Sequence, residues 1–281
     1  MAITPTTLQL FRQIKAQQLS IATEAILQST LQFYWYNEEK QLKALGSGVL
    51  LTIDNRFFVA TAAHVIHQGH GNTFVLLGDY EVTLAGTWCA TTPTVVDLAV
   101  LELSDAAQLA ELQRAYRFLT LTDLSTRRRH LNDLYLIVGY PATKTKVYGG
   151  YSHAKPYPLQ AQEASGFDFA THQLQPATHL VLDGTGLVVS ASNPNPHRTP
   201  DLEGSSGGGV WHNGNYLKGD PAREKRLVGL LTREVYEGRG PGRRRSLLVT
   251  RTAVLLEFMR QAFGLSIPAP NTRKSKATPV V

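Results

Sequence analysis

The sequence predicts an all-β protein built as two six-stranded antiparallel β-barrels, with one helix ahead of the first barrel and another closing the second. Three observations carry the prediction. Short runs of β-branched, aromatic and aliphatic residues recur from residue 30 to about 251, separated by polar or glycine-containing turns. The runs fall into two sets of six, on either side of a charged segment at 104–132. Sustained helical spacing of apolar residues marks the two ends of that region. A chain of 281 residues and 30.9 kDa is long enough to bury a sizeable core. A hydrophobic content of 43% with 18% charged residues excludes a disordered chain. The longest apolar runs, such as 134–138, are far too short to span a bilayer, so no membrane partner is expected.

Taken in order, residues 1–29 form an amphipathic N-terminal helix. Leu8, Phe11, Leu19, Ala22 and Ile26 recur at helical spacing, and neither Pro nor Gly interrupts them from Thr6 to Ser29. Such an apolar face must be covered by the body of the protein or by a regulatory protein partner. Barrel one occupies about 30–104, with strands expected at 31–36, 42–53, 57–61, 73–77, 82–88 and 98–103. The segment 104–132, partly helical in period, crosses between barrels. Barrel two occupies about 133–251, with strands expected at 134–139, 167–172, 179–183, 208–211, 227–232 and 246–250. The polar loops 148–157 and 190–204 are too long for plain hairpins and are read as substrate walls. Residues 252–264 are the closing helix, with Val254, Leu255, Phe258 and Phe263 on its apolar side. Residues 265–281 hold three prolines and three basic residues without periodicity, and are expected to be a disordered tail.

Three short strings carry chemistry. In chain order they are Thr61-Ala62-Ala63-His64, Asp97-Leu98-Ala99-Val100 and Gly204-Ser205-Ser206-Gly207-Gly208-Gly209. A serine hydroxyl is a poor nucleophile at neutral pH and needs an imidazole to take its proton, with a third group to fix that imidazole. Glycines around the serine let the backbone bend so that two N–H groups converge on one oxygen. Taken singly, the glycine-rich string reads as a flexible turn and the histidine as a packed side chain. Taken together and in this order, they offer a base, an orienting carboxylate and a nucleophile.

These strings resemble those of the trypsin/chymotrypsin-like serine proteases, and within them the intracellular, HtrA-like bacterial branch. The resemblance covers roughly residues 30–264. It implies that His64 is the general base, Asp97 the residue that orients it, and Ser206 the nucleophile of an acyl-enzyme mechanism. The backbone N–H groups of Gly204 and Ser206 would form the oxyanion hole. It implies a protein substrate and no cofactor. It also places the pocket for the side chain preceding the cut: the floor at Pro200 beside Asp201, the wall at Thr232-Arg233-Glu234. An acid near the floor favours Lys or Arg, and Arg233 opposes that preference.

Two departures from the family pattern are visible. Family members that mature by cleavage pair a new amino terminus with an aspartate directly before the nucleophile; here that position is Ser205. The site is therefore expected to be preformed, or ordered by substrate or a partner. Secreted relatives commonly place a disulfide beside the histidine, whereas Val65 stands here and Cys89 is the only cysteine. Residues 1–15 lack the basic, apolar, small-residue succession of an export signal, so a reducing, cytoplasmic location is expected. Cys89 reads as a buried apolar thiol.

The net charge is +6 and the sequence pI about 9.4. Positive charge clusters at Arg127-Arg128-Arg129-His130, at Arg243-Arg244-Arg245 and at Arg273, Lys274 and Lys276. No aromatic–basic interleaving accompanies these clusters, so they read as solvated loops rather than a nucleic-acid site. His64, His67 and His70 stand three apart, but Gly69 and Gly71 interrupt the helix a metal cluster would need, and no metal is expected. Asp183-Gly184-Thr185-Gly186 lacks the lysine of a phosphate-binding loop and reads as a turn. The resulting expectation is a regulated intracellular serine endopeptidase. The competing expectations are a catalytically inactive protease-like binding module, and a nucleic-acid-associated protein that uses the basic loops.

Overall fold

A computed structural model of the chain describes residues 5–69, 73–77, 80–92, 96–127, 133–148, 151–185, 187–190, 193–215, 225–238 and 243–268. It opens with helix α1 (Pro5–Leu27). The first sheet contains β1 (Thr30–Tyr36), β2 (Leu42–Ile53), β3 (Arg56–Thr61), β4 (Phe74–Leu77), β5 (Tyr80–Thr83), β6 (Gly86–Ala90) and β7 (Ala99–Leu103). Its strand order is β5-β4-β1-β2-β3-β7-β6, with antiparallel neighbours throughout. A short helix, α2 (Ala63–Gln68), follows β3, and α3 (Ala106–Ala115) follows β7.

The second half contains β8 (Asp133–Gly139), β9 (Thr145–Tyr148), β10 (Tyr151–Ala154), β11 (Tyr157–Gln162), β12 (His179–Asp183), β13 (Leu187–Ser190), β14 (Asn193–Arg198), β15 (Gly209–Asn215), β16 (Arg226–Glu237) and β17 (Arg244–Arg251), then helix α4 (Thr252–Phe263). Six of these strands form the second curled sheet in the order β11-β8-β15-β16-β17-β12. The pairs β9/β10 and β13/β14 stand apart as hairpins. The expected class, two antiparallel barrels with a helix at either end, is the class observed.

Two strand expectations need correction, and the first of them makes the first sheet seven-stranded rather than six-stranded. The run 82–88 breaks at Leu84–Ala85 because Gln108 of α3 inserts there: its side-chain amide donates to the Thr83 carbonyl and accepts from the Ala85 N–H. Residues 167–172 are a turn rather than a strand. The Asp168 carboxylate accepts from the Ala170 and Thr171 N–H groups, and Phe167 and Phe169 pack under Leu174, Val181 and Leu248. The strand of the second sheet that takes its place is β11. Pro158 lowers its apparent strand character, but β11 is an edge strand, where an absent N–H leaves the ladder to β8 intact. The tail expected at 265–281 falls almost wholly outside the described residues. Cys89, on the edge strand β6, is half-buried rather than enclosed.

Alternate residues of the central strands serve two different cores, as the two-residue period of a strand dictates. On β2 and β3, Leu50 and Val59 point into barrel one, whereas Val49, Leu51, Phe58 and Ala60 point to the seam between barrels. On β8, Tyr135 and Ile137 enter barrel two, while Leu136 and Val138 join the same seam. Both faces of these strands are dry, which is why the sequence shows nearly continuous apolar runs instead of alternation. The two terminal helices cover the seam. From α4 come Leu255 and Met259, both fully buried, and from α1 come Leu19, Ala22 and Ile26. Arg56 pins the end of α4 by donating to the Phe263 carbonyl (2.7 Å) while gripping Glu102 bidentately. That guanidinium holds the Glu102 carboxyl below the usual glutamate range.

The helix α1 therefore belongs to the body. It packs on β1, β8, β13 and β14, so it touches both halves. Its C-terminus is tied down as well: Thr30 Oγ1 donates to the Ile26 carbonyl, and the Gln28 and Ser29 carbonyls accept from the Arg117 and Leu50 N–H groups. Ile26→Ala is expected to cost about 2–4 kcal/mol, because it removes buried methyl groups from a seam that cannot collapse. Ile21→Ala, on the exposed side of the same helix, is expected to stay within about 0.5 kcal/mol. Urea midpoints of the two variants test this assignment.

Candidate active site

The end of β3 delivers Thr61-Ala62 to the first turn of α2, which places His64 on the rim of barrel one. Asp97 lies just ahead of β7, the strand that pairs with β3, so the two residues stand side by side at the ends of neighbouring strands. The carboxylate makes two contacts to the one residue. Its Oδ1 accepts the His64 backbone N–H (3.0 Å), and its Oδ2 lies 2.6 Å from the His64 ring Nδ1. The Asp97 side chain is 9% exposed and that of His64 29%, so the acid is enclosed while the ring reaches solvent. Thr91 fixes the turn that carries Asp97, accepting the Leu98 N–H with its hydroxyl and donating its own N–H to the Leu98 carbonyl. With Nδ1–H held by a carboxylate, the outer nitrogen, Nε2, is left as the proton acceptor.

Ser206 comes from barrel two, on the loop between β14 and β15. His64 and Ser206 line one cleft of about 1030 Å³, together with Trp35, Leu42, Leu45, Ala142, Thr145, Glu203 and Gly204. In the conformation observed, the Ser206 hydroxyl donates to the Thr232 carbonyl at 3.3 Å. The loop is tightly determined. Gly204 has φ +86° and Gly207 φ +82°, both in the left-handed region, and a Cβ on Gly207 would lie 2.0 Å from the Ser47 carbonyl oxygen. The N–H groups of Ser205, Gly207 and Gly208 donate to Leu202, Leu231 and Ser205 carbonyls. Among the described residues, the N–H groups of Gly204 and Ser206 have no protein acceptor.

A residue that sequence reasoning missed holds this loop. Ser47, fully buried on β2, donates its N–H to the Ser206 carbonyl (2.8 Å) and its hydroxyl to the Gly204 carbonyl (3.0 Å). The same hydroxyl accepts the Tyr140 N–H (2.9 Å), and the Ser47 carbonyl accepts from Thr61 Oγ1 (2.7 Å). The Ala142 N–H completes the clamp by donating to the Glu203 carbonyl (2.7 Å). The only signal in the sequence is a polar residue inside an apolar run, which does not identify its partners. Beside His64, Val65 presses on Gly46, where a Cβ would lie 2.5 Å from Val65 Cγ1, so apolar contact joins β2 to α2.

The residues expected around the pocket are placed as follows. Thr232 lies under Ser206, as described, and Glu234 follows on β16, paired with Leu247 of β17. Asp201 is exposed, and its carboxylate caps its own turn by accepting the Glu203 N–H (3.0 Å). The Pro200 carbonyl accepts from Arg245 (2.8 Å), and Arg245 grips Glu234 through two nitrogens. Arg233 is exposed on the opposite side. The cluster 243–245 is thus not a solvated loop throughout, since Arg245 is 9% exposed. The expected loop 148–157 overlaps the β9/β10 hairpin, which is docked on barrel one by Gln32–Thr145 and Ser152–Tyr34 hydrogen bonds, with Thr145 at the cleft. Among the described residues no group of His, Cys, Asp and Glu is arranged to hold a metal; His70 lies outside them.

Comparison with solved structures finds the same fold at low sequence identity. The scabies mite inactivated protease paralogue S-I1 shares 16% identity and aligns over 84% of this chain and 94% of its own, with a TM-score of 0.52. Human heparin binding protein shares 16% identity over 86% of this chain and 94% of its own, with a TM-score of 0.50. No curated protein sequence matches the chain. Residues 46–219, which contain His64, Asp97 and Ser206, match the trypsin-like peptidase domain, and the chain belongs to that family.

Proposed function

We propose that the protein is a serine endopeptidase that cleaves protein substrates through His64, Asp97 and Ser206. The observation that carries this reading is the buried Asp97 holding the His64 ring at 2.6 Å beside the cleft that Ser206 shares. In the reaction, the Ser206 hydroxyl turns from the Thr232 carbonyl to His64 Nε2, which takes its proton as the oxygen attacks the substrate carbonyl. The oxyanion is received by the Gly204 and Ser206 N–H groups. The protonated imidazole, stabilised by Asp97, then gives its proton to the leaving amine, and water releases the acyl group by the same steps in reverse.

The finer parts of the reading are a regulated effector of the intracellular HtrA-like bacterial branch, working in the cytoplasm. The single cysteine and the Gly46–Val65 contact beside the histidine support a barrel that needs no disulfide. A regulatory protein partner would meet α1 on its outer side, where Leu10 and Ile21 are exposed. The competing reading is a catalytically inactive, protease-like binding module; the scabies mite paralogue is named as an inactivated protease. Labelling by a fluorophosphonate probe separates the two, because only an activated serine reacts.

Three outcomes are expected. Ser206→Ala abolishes labelling and peptide cleavage without unfolding the protein, whereas wild-type turnover in that variant would move the nucleophile elsewhere. Asp97→Asn lowers kcat by about 10⁴-fold, since the imidazole is then held in the wrong tautomer. Ser47→Ala leaves the Tyr140 N–H and the Gly204 carbonyl unpaired and loosens the oxyanion loop. It is expected to lower kcat by roughly 10–100-fold with KM little changed. Steady-state kinetics of the three variants, with fluorophosphonate labelling of Ser206→Ala, measures all of these.

A further inference from the structure

We propose that the pocket beside Ser206 is filled from within by the Arg245–Glu234 ion pair, so that the enzyme cuts after small, uncharged residues. The inference rests on the peptidase reading and names its substrate class. The pocket expected for the side chain preceding the cut has its floor at Pro200 beside Asp201 and its wall at Thr232-Arg233-Glu234 on β16, the strand paired with β17. Glu234 and Leu247 are directly paired across these two strands. Leu247 is fully buried in the core of barrel two, and Arg245 is the next residue on its face of β17.

The arginine is held from every side. Its Nε donates to Glu234 Oε2 at 2.9 Å and its Nη2 to Glu234 Oε1 at 2.5 Å. Nη1 donates to the carbonyls of Thr199 (3.2 Å) and Pro200 (2.8 Å). Four of the five N–H directions of a guanidinium are thereby committed. The Glu234 carboxylate is equally engaged, since Tyr236 also donates its hydroxyl to Oε2 at 2.7 Å. The stem is packed so closely that a Cβ on Gly184 would lie 3.2 Å from Arg245 Cγ, and the Arg245 backbone exchanges two hydrogen bonds with Thr185 Oγ1. The side chains of the pair are 10% and 17% exposed.

Each class of large side chain meets an obstacle there. A substrate Lys or Arg finds a guanidinium already bound to the one carboxylate. A substrate Asp or Glu finds four of the five guanidinium N–H directions taken and Glu234 beside them. A large apolar side chain has to displace a buried, hydrogen-bonded pair and leave both charges dry and unpaired. Gly, Ala and Ser need none of this space. The cleft that His64 and Ser206 share is lined by neither Pro200, Glu234 nor Arg245.

The test is kcat/KM for peptides identical except for the residue preceding the cut. The wild-type protein is expected to favour Ala, Gly and Ser over Lys, Asp and Phe by at least about tenfold. Glu234→Ala frees the guanidinium and is expected to raise cleavage after Asp or Glu about tenfold, and Arg245→Ala frees the carboxylate and raises cleavage after Lys or Arg similarly. Should either single variant fail to fold, E234A/R245A buries no unpaired charge and is expected to raise cleavage after Phe. A wild-type protein that cuts after Lys, Asp or Phe as fast as after Ala overturns the inference. So does the absence of any gain in the folded variants. If no peptide is cut and the fluorophosphonate leaves Ser206 unlabelled, the peptidase reading itself is overturned and this inference falls with it.

Discussion

The geometry of the site depends on Ser47, a single polar residue in the dry seam between the barrels. Its N–H, hydroxyl and carbonyl are all used, and their partners lie on barrel one (Thr61) and barrel two (Tyr140, Gly204 and Ser206). An unpaired polar group in such a place costs about 1–3 kcal/mol, so these contacts are favoured as a set. The residue that fixes the Ser206 loop also receives a bond from Thr61, three residues before His64. Docking the barrels and aligning the serine with the imidazole are therefore one event. Gly207 is the other half of this constraint, because any side chain there would occupy the space of the Ser47 carbonyl.

The seam explains why helices are attached to an all-β body. Two curled sheets laid together leave apolar residues at the ends of their contact, and a third element has to cover them. Leu255 and Met259 of α4 do so on one side, with Arg56 fastening the end of that helix to barrel one. Leu19, Ala22 and Ile26 of α1 contribute to the same cluster. The N-terminal helix is held by the contacts that hold the barrels together, so anything that displaces it also loosens the surface on which Ser206 is positioned.

Much of this was legible in the chain. Strands with two buried faces announce themselves as apolar runs, and both helices announce themselves by period. His64, Asp97 and Ser206 stood out because each sits in a short string whose chemistry is local. What escaped reading was set by distant contacts. Nothing near Leu84 shows that Gln108 will end a strand there. The Phe167–Phe169 pair has strand-like composition, and only the Asp168 turn and the packing beneath it decide otherwise. Arg245 looked like one of three surface arginines because its neighbours are; strand alternation turned it inward to a carboxylate on the adjacent strand. Ser47 looked like a chance polar residue because three of its four partners are some 90 to 160 positions away.

Ser205 bears on how such a site can be held ready. It is 1% exposed, and its hydroxyl has no partner among the described residues. A carboxylate in that position would be charged and dry, so it would need a cation delivered to it before the loop could settle. A serine carries a far smaller desolvation cost and imposes no such wait. The work of shaping the loop passes to neutral hydrogen bonds from Ser47 and Ala142, which are present as soon as the barrels dock. A loop ordered by neutral contacts has no charge whose arrival turns it on. The order of this loop therefore depends on the docking of the barrels, into which α1 is built.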